Sequence, residues 1–362
     1  MRPAVFVSLM ILSLAAAVGR AADEKTYEGK TLQAWLAQLQ DKEPKQSLAA
    51  IDALLKIGAP AVPALSKALK GKDAGLRRNA AYVLGELGPD AKDAVGALAG
   101  ALKDEDSGTR QYAAAALGRI GADAGAAVPG LVEALKGADE GLRTNAASSL
   151  GEIGPGAKAA VPALRAALRD RNRDMRRSAS SSLSELGADA AAAVPALAAA
   201  LKDHDRDVRR NAAAALSDIG PEAAPVTAAL AAALKDRDRD VRRMSANALA
   251  EIGPPAKAAV PALAEALKDP DPPVRRSAAA ALGEIGADAK AVVPALAEAL
   301  KDGQRDVRRR AALALREFGA DAKPAVPALT ELLKDKEGPV RQAAAKALKG
   351  IDPQAAEKAG VK

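Results

Sequence analysis

Residues 254–286 read PPAKAAVPALAEALKDPDPPVRRSAAAALGEIG, and variants of this 33-residue stretch recur along the chain. Val260, Leu263 and Leu267 sit at i, i+3 and i+7, the spacing of one apolar face of a helix. Pro261 falls near the start of that helix, where its missing N–H has no intrahelical partner to lose. The segment KDPDPP breaks the chain. Val274, Ala278, Leu282 and Ile285 then form a second apolar stripe. Asp271 or a neighbouring aspartate is placed to cap the second helix, and Gly286 to end it in the left-handed conformation. The unit is therefore a helical hairpin, and neither helix can bury its stripe alone.

Glycine and arginine mark the repeat. Gly88, Gly121, Gly154, Gly187, Gly220, Gly253, Gly286 and Gly319 lie 33 residues apart, and so do Arg77, Arg110, Arg143, Arg176, Arg209, Arg242, Arg275, Arg308 and Arg341. Hairpins that shelter one another's apolar faces predict an all-α fold, a right-handed α-solenoid of about ten helix pairs. At 8–10 Å per pair the array would span roughly 90 Å. The expected divisions are a signal peptide (1–22), a lead-in (23–30), a degenerate capping repeat (31–58), nine repeats (59–352) and a C-terminal tail (353–362). The first repeat has Ser47 in place of the marker arginine, and the only tryptophan, Trp35, lies at its start. A deviant end unit reads as a cap.

Composition agrees with helices. Aromatic residues make up 2% of the 362 residues while hydrophobic ones reach 49%, so small aliphatic side chains must form the core. Lys and Arg number 53 against 46 Asp and Glu, a net charge of +7. Both signs are abundant, which favours solubility rather than a dedicated polyanion site. The chain has no cysteine, which excludes disulfides, thiol catalysis and cysteine–metal sites.

The N-terminus, MRPAVFVSLMILSLAAAVGRAA, joins a basic Arg2 to an apolar run from Ala4 to Val18 and then to small residues. That is the layout of a secretory signal peptide. It predicts a secreted or periplasmic protein with no membrane span after cleavage.

The string AVPALAEALKDPDPPVRRSAAAALGEIG resembles the short bacterial HEAT repeat, the phycobilisome-lyase-like type, over about residues 31–352. The opening YEGKTLQAWLAQLQD (Tyr27–Asp41) is similar to the lead-in of secreted planctomycete HEAT-repeat proteins. HEAT repeats carry an aspartate in the inter-helix turn six residues before an arginine. Asp104, Asp170, Asp203, Asp236, Asp269, Asp302 and Asp335 fit that spacing, whereas Gly71 and Gly137 break it. The resemblance implies a ladder in which Arg209, Arg242, Arg275 and Arg308 each bridge an aspartate of their own unit and one of the next, among Asp203, Asp236, Asp269 and Asp302. A planar guanidinium can serve two carboxylates at once.

The resemblance also implies that the second helices line the concave side. On them Arg276, Ala280, Gly283 and Glu284 are expected to face a groove. A basic rail would run through Arg177, Arg210, Arg243, Arg276 and Arg309, with Arg78 ahead of it and Gln111, Thr144 and Gln342 as exceptions. An acidic rail would run through Glu86, Glu152, Glu185, Asp218, Glu251, Glu284 and Glu317, with Arg119 as the exception. Small residues such as Ala115, Ser148, Ser181 and Ala214 lie between. Tyr82 and Tyr112 are the candidate anchors, since aromatic side chains dominate interface energetics.

No catalytic constellation is visible. The sole histidine, His204, lies in the loop KDHDRD and reads as a solvated turn residue. HEAT-like deoxyhypusine hydroxylases hold two irons with His-Glu dipeptides, but here Asp205 follows the one histidine. Bilin lyases need an apolar, aromatic-lined cleft, for which two Phe and three Tyr offer little. The expectation is a non-enzymatic scaffold for an unknown protein partner, with no cofactor or metal. Nucleic-acid binding through the basic rail is the weaker alternative, because an acidic rail runs beside it. The oligomeric state is not encoded in these patterns.

Overall fold

The computed structural model describes residues 26–286 and 289–361. The expected signal peptide, 1–22, lies outside the described residues. Contacts divide the chain into two compact units, one running to Gly156 and the other from Ala157. Each is a series of tandem helical hairpins, and the fold is an all-α solenoid.

In the first unit the short helices are Leu32–Gln38, Val62–Ala68, Val95–Ala101 and Val128–Ala134, and the long ones Pro44–Ile57, Ala74–Leu87, Ser107–Ile120 and Glu140–Ile153. The second unit repeats the pattern, with long helices Arg173–Glu185, Arg206–Ile219, Arg239–Ile252, Pro272–Ile285, Arg305–Glu317 and Gly338–Ile351. Successive long helices pack side by side within each unit. The first stripe of the 254–286 repeat is buried, with Leu263 fully so, and Val274, Ala278, Leu282 and Ile285 are fully buried. Alanine at the contacts lets neighbouring backbones approach. Gly85 takes this further, since a Cβ there would lie 3.2 Å from the Ala116 Cα.

Several local features depart from expectation. A 3-10 turn of six or seven residues, such as Gly121–Ala127 or Pro254–Ala259, joins most long helices to the next short one, a junction the sequence reading left unassigned. Most marker glycines are not left-handed helical: Gly121 has φ 76°, ψ −139° and Gly253 φ 68°, ψ −140°, a region open almost only to glycine. Gly286 alone among those with measured caps is left-handed helical, at φ 58°, ψ 42°. Pro294 lies well inside the helix Ala289–Ala299 rather than in its first turn.

Side-chain caps form at Asp73, Asp106, Asp139, Asn172, Asp205 and Asp238. Asp271 makes none. Pro272 and Pro273 occupy the first two helical positions and offer no N–H there, and the Val274 N–H bonds the Asp271 carbonyl instead.

The N-terminal lead-in contains a strand pair, although no strand was expected. Thr26–Tyr27 and Lys30–Thr31 pair antiparallel across a turn at Glu28 and Gly29, both with positive φ. The Trp35 indole N–H donates to the Tyr27 carbonyl at 3.0 Å, and Lys30 lies 4.3 Å above the indole ring. The C-terminal segment forms the helix Pro353–Lys358, capped by the Asp352 side chain and packed through Ala356.

Candidate functional site

The turn before most long helices positions an arginine fork. Arg242 illustrates it. Its Nε donates to Asp269 Oδ2 at 2.7 Å and its Nη2 to Asp269 Oδ1 at 3.0 Å. Its Nη1 donates to the backbone carbonyls of Asp236 (2.9 Å) and Arg237 (3.4 Å). Arg77, Arg176, Arg209, Arg275 and Arg308 repeat the pattern on Asp104, Asp203, Asp236, Asp302 and Asp335. The next-unit partner is thus a carboxylate, but the own-unit partner is a main-chain carbonyl. The implied bridge to two aspartates is corrected on this point. The own-unit carboxylate is already engaged by the preceding arginine and by a backbone N–H two residues on, as at Asp269 with the Asp271 N–H (2.9 Å).

Gly137 interrupts the aspartate column, and the structure compensates. Arg110 donates to the cap residue Asp139 at 2.7 Å, and Gln111 to the other oxygen of the same carboxylate at 3.0 Å.

The second arginine column is not a uniform free rail. Arg78 grips Asp106 at 3.1 and 2.6 Å, and Arg177 grips Asp205 at 2.8 and 2.6 Å. These guanidinia, with capping N–H groups, hold the Asp106 and Asp205 carboxyls far below the usual carboxylate range. Arg210 lies 3.6 Å from Asp207, and Arg243 lies 3.1 Å from Asp240, each within its own helix. Arg276 and Arg309 are exposed and have no hydrogen-bond or ion-pair partner among the described residues.

In the acidic column, Glu86 pairs with Arg119, Asp218 accepts from Ser184, Glu185 accepts from Ser181 at 3.2 Å, and Glu284 lies 3.8 Å from Arg310. Glu251 is exposed and unpaired among the described residues. Gly283 is buried rather than facing a groove: a Cβ there would lie 3.0 Å from the Ala314 Cα. His204 is exposed, and its carbonyl, not its ring, accepts from Arg209. Among the described residues no group of three or more His, Cys, Asp or Glu could hold a metal ion.

One place on the long-helix face carries a pair of aromatic side chains. Tyr82 and Tyr112 meet edge to face, with centroids 5.5 Å apart and planes at 73°. They line a cleft of about 500 Å³ between the helices Ala74–Leu87, Ser107–Ile120 and Glu140–Ile153. Ala81, Gly85, Gly108, Ala115 and Ala116 give it small walls, while Arg78, Ser107, Gln111, Arg119 and Asn145 supply polar groups. Tyr112 is 42% exposed. A Cβ on Gly108 would lie 2.6 Å from Arg78 Nε, so the glycine makes room for the arginine to reach Asp106. Sequence reasoning picked out the two tyrosines but not Gly85, Gly108 or Asn145. Gln111 and Arg119 appeared there only as exceptions to the two charged columns.

The chain belongs to the HEAT-repeat family: a family model described as HEAT repeats matches residues 32–107, 62–128, 96–184, 128–216, 226–316 and 293–359. Among solved structures, an engineered protein is similar at 25% identity and TM-score 0.64, over 88% of this chain and 98% of that one. A chain from the complex in which Kap95p binds RanGDP is similar at 16% identity and TM-score 0.57, over 88% of this chain but 49% of that one. The latter likeness concerns the fold. No curated protein matches the sequence.

Proposed function

We propose that this protein is a non-enzymatic scaffold that binds a protein partner on the face of its long helices, with the Tyr82–Tyr112 cleft as the anchor. One observation carries the reading. Four departures from the repeat meet in one cleft: Tyr82 and Tyr112 stand where other units carry mostly small or polar residues, Gln111 breaks the arginine column, and Arg119 breaks the acidic column. A second cleft that gathers Arg310, Leu313 and Arg316 has no aromatic residue. Exposed aromatic side chains ringed by polar groups mark interaction sites.

A protein partner is favoured over nucleic acid because the cleft's guanidinia are already compensated by carboxylates. Counterion release needs free cations to replace those on phosphate. The signal-like N-terminus supports a place of action in the cell envelope or outside the cell, in the manner of secreted short-HEAT proteins. Among the described residues no single helix is long and apolar enough to cross a membrane.

The test is site-directed photo-crosslinking in envelope and medium fractions of the producing cell. A crosslinker at Ala115, in the cleft wall, should capture a specific protein, and one at Glu133, exposed on a short helix, should not. Equal capture at both positions, or at neither, would end the proposal.

A further inference from the structure

We infer that the Tyr82–Tyr112 cleft receives a proline-rich segment of the partner in the polyproline II conformation; this rests on the scaffold reading above and names its ligand. The argument begins with shape. The edge-to-face pair leaves Tyr112 partly exposed at the cleft, an aromatic surface suited to a compact, rigid, apolar ring. The surrounding Ala81, Gly85, Gly108, Ala115 and Ala116 add no bulk beyond a methyl group. Prolyl rings are the side chains that aromatic-lined grooves take up in other proline-rich recognition.

Charge excludes the other common ligands. Arg78 is bound by Asp106 and Arg119 by Glu86, so each guanidinium at the cleft has its own carboxylate. An acidic segment would have to compete with Asp106 and Glu86 for the charge of these guanidinia. A cationic segment would find both cleft carboxylates already held by arginines. A neutral segment meets neither obstacle.

Hydrogen bonding gives the third line. Prolyl residues have no N–H, and a polyproline II strand has no internal hydrogen bonds, so its carbonyls need donors. The cleft supplies the hydroxyls of Tyr82, Tyr112 and Ser107 and the remaining guanidinium N–H groups of Arg78 and Arg119. Spacing agrees as well. Three polyproline residues advance roughly 9 Å, close to the 8–10 Å between packed helices. One turn of the ligand would therefore cross one long helix. The strand is preformed and loses little conformational freedom on binding.

The experiment is a calorimetric titration of the full chain with an acetylated, amidated nonaproline peptide, with a Gly-Ser peptide of equal length as control. Saturable binding to nonaproline alone is expected, with Kd on the order of 100 μM. Tyr112→Ala should weaken it at least about tenfold, and Tyr112→Phe less, because the ring stays and the hydroxyl goes. Tyr112 is partly exposed, so its variants should keep the parent circular dichroism spectrum and melting temperature; Tyr82→Ala is the second, more buried variant. No saturable binding up to about 2 mM, equal binding of the Gly-Ser peptide, or binding untouched by Tyr112→Ala would overturn the inference. If nonaproline fails while the Ala115 crosslinker still captures a partner, only the ligand class falls. If both fail, the scaffold reading falls with it.

Discussion

Arg242 and Arg243 are neighbours in sequence, yet their removal should have different consequences. Arg242 is 13% exposed and Asp269 8%. Arg242→Ala deletes two charge-assisted bonds to that carboxylate and two bonds to carbonyls of its own turn. It leaves Asp269 mostly buried, with a backbone N–H but no cation. Breaking a buried pair from one side costs 3–5 kcal/mol, and this pair is nearly but not wholly buried, so about 3 kcal/mol is expected. Arg243, 30% exposed, pairs with Asp240 one turn away in its own helix at 3.1 Å. Such a pair contributes about 0.5 kcal/mol. Urea unfolding followed by circular dichroism would measure both. Because repeat arrays need not unfold in one step, amide exchange in the helices Arg239–Ile252 and Pro272–Ile285 should accompany it. Equal destabilisation by the two substitutions would refute the assignment of Arg242, and not Arg243, to the contact between units.

Acid should loosen the array through the same aspartates. Asp106 and Asp205 are held far below their ordinary range, first by the arginines that grip them, and Asp335 is lowered first by Arg308. A depressed carboxylate contributes stability above its unfolded value, about 3.9, and loses it as pH falls through the folded value. Melting temperature should therefore drop as pH falls below about 4, and Arg177→Met should flatten that drop; an unchanged slope would count against the pairing. Gly118→Ala should cost about 1–3 kcal/mol through overpacking, because the new Cβ would lie 2.8 Å from Ser149 Oγ and 2.9 Å from its Cα. A neutral result in thermal denaturation would contradict the close approach of these helices. Gly121→Ala meets only a distant carbonyl at 3.9 Å, so its cost, about 1–3 kcal/mol, should come from backbone strain at φ 76°. A second substitution enlarging space around residue 121 should fail to rescue it.

The helical hairpin was legible because its signals are periodic. Gly121 and its counterparts, the Arg209 column and the Val274–Ile285 stripe all follow from elementary helix geometry. What stayed hidden depends on details that a period does not carry. The own-turn carbonyls that receive Arg242 Nη1 become targets only once the turn has closed. The missing cap at Asp271 goes with the Val274 N–H bonding the Asp271 carbonyl, a choice the sequence does not show. The 3-10 turns, such as Gly121–Ala127, carry no apolar stripe that a periodic reading could find. The meeting of Tyr82 and Tyr112 had a signal that went unused. Arg78 reaches Asp106, 28 residues on, and Gly85 approaches Ala116, 31 residues on. Contacts between long helices thus join residues about one period apart, from 28 for Arg78–Asp106 to 35 for Ser149–Ala114, and Tyr82 and Tyr112, 30 apart, fall within that range.

Amide hydrogen exchange of the protein with and without bound partner tests the functional claim most directly. Slowed exchange should concentrate in Ala74–Leu87 and Ser107–Ile120, the helices that carry the tyrosines. Protection centred on the short helices Val95–Ala101 and Val128–Ala134, with those two long helices unchanged, would place the binding surface elsewhere.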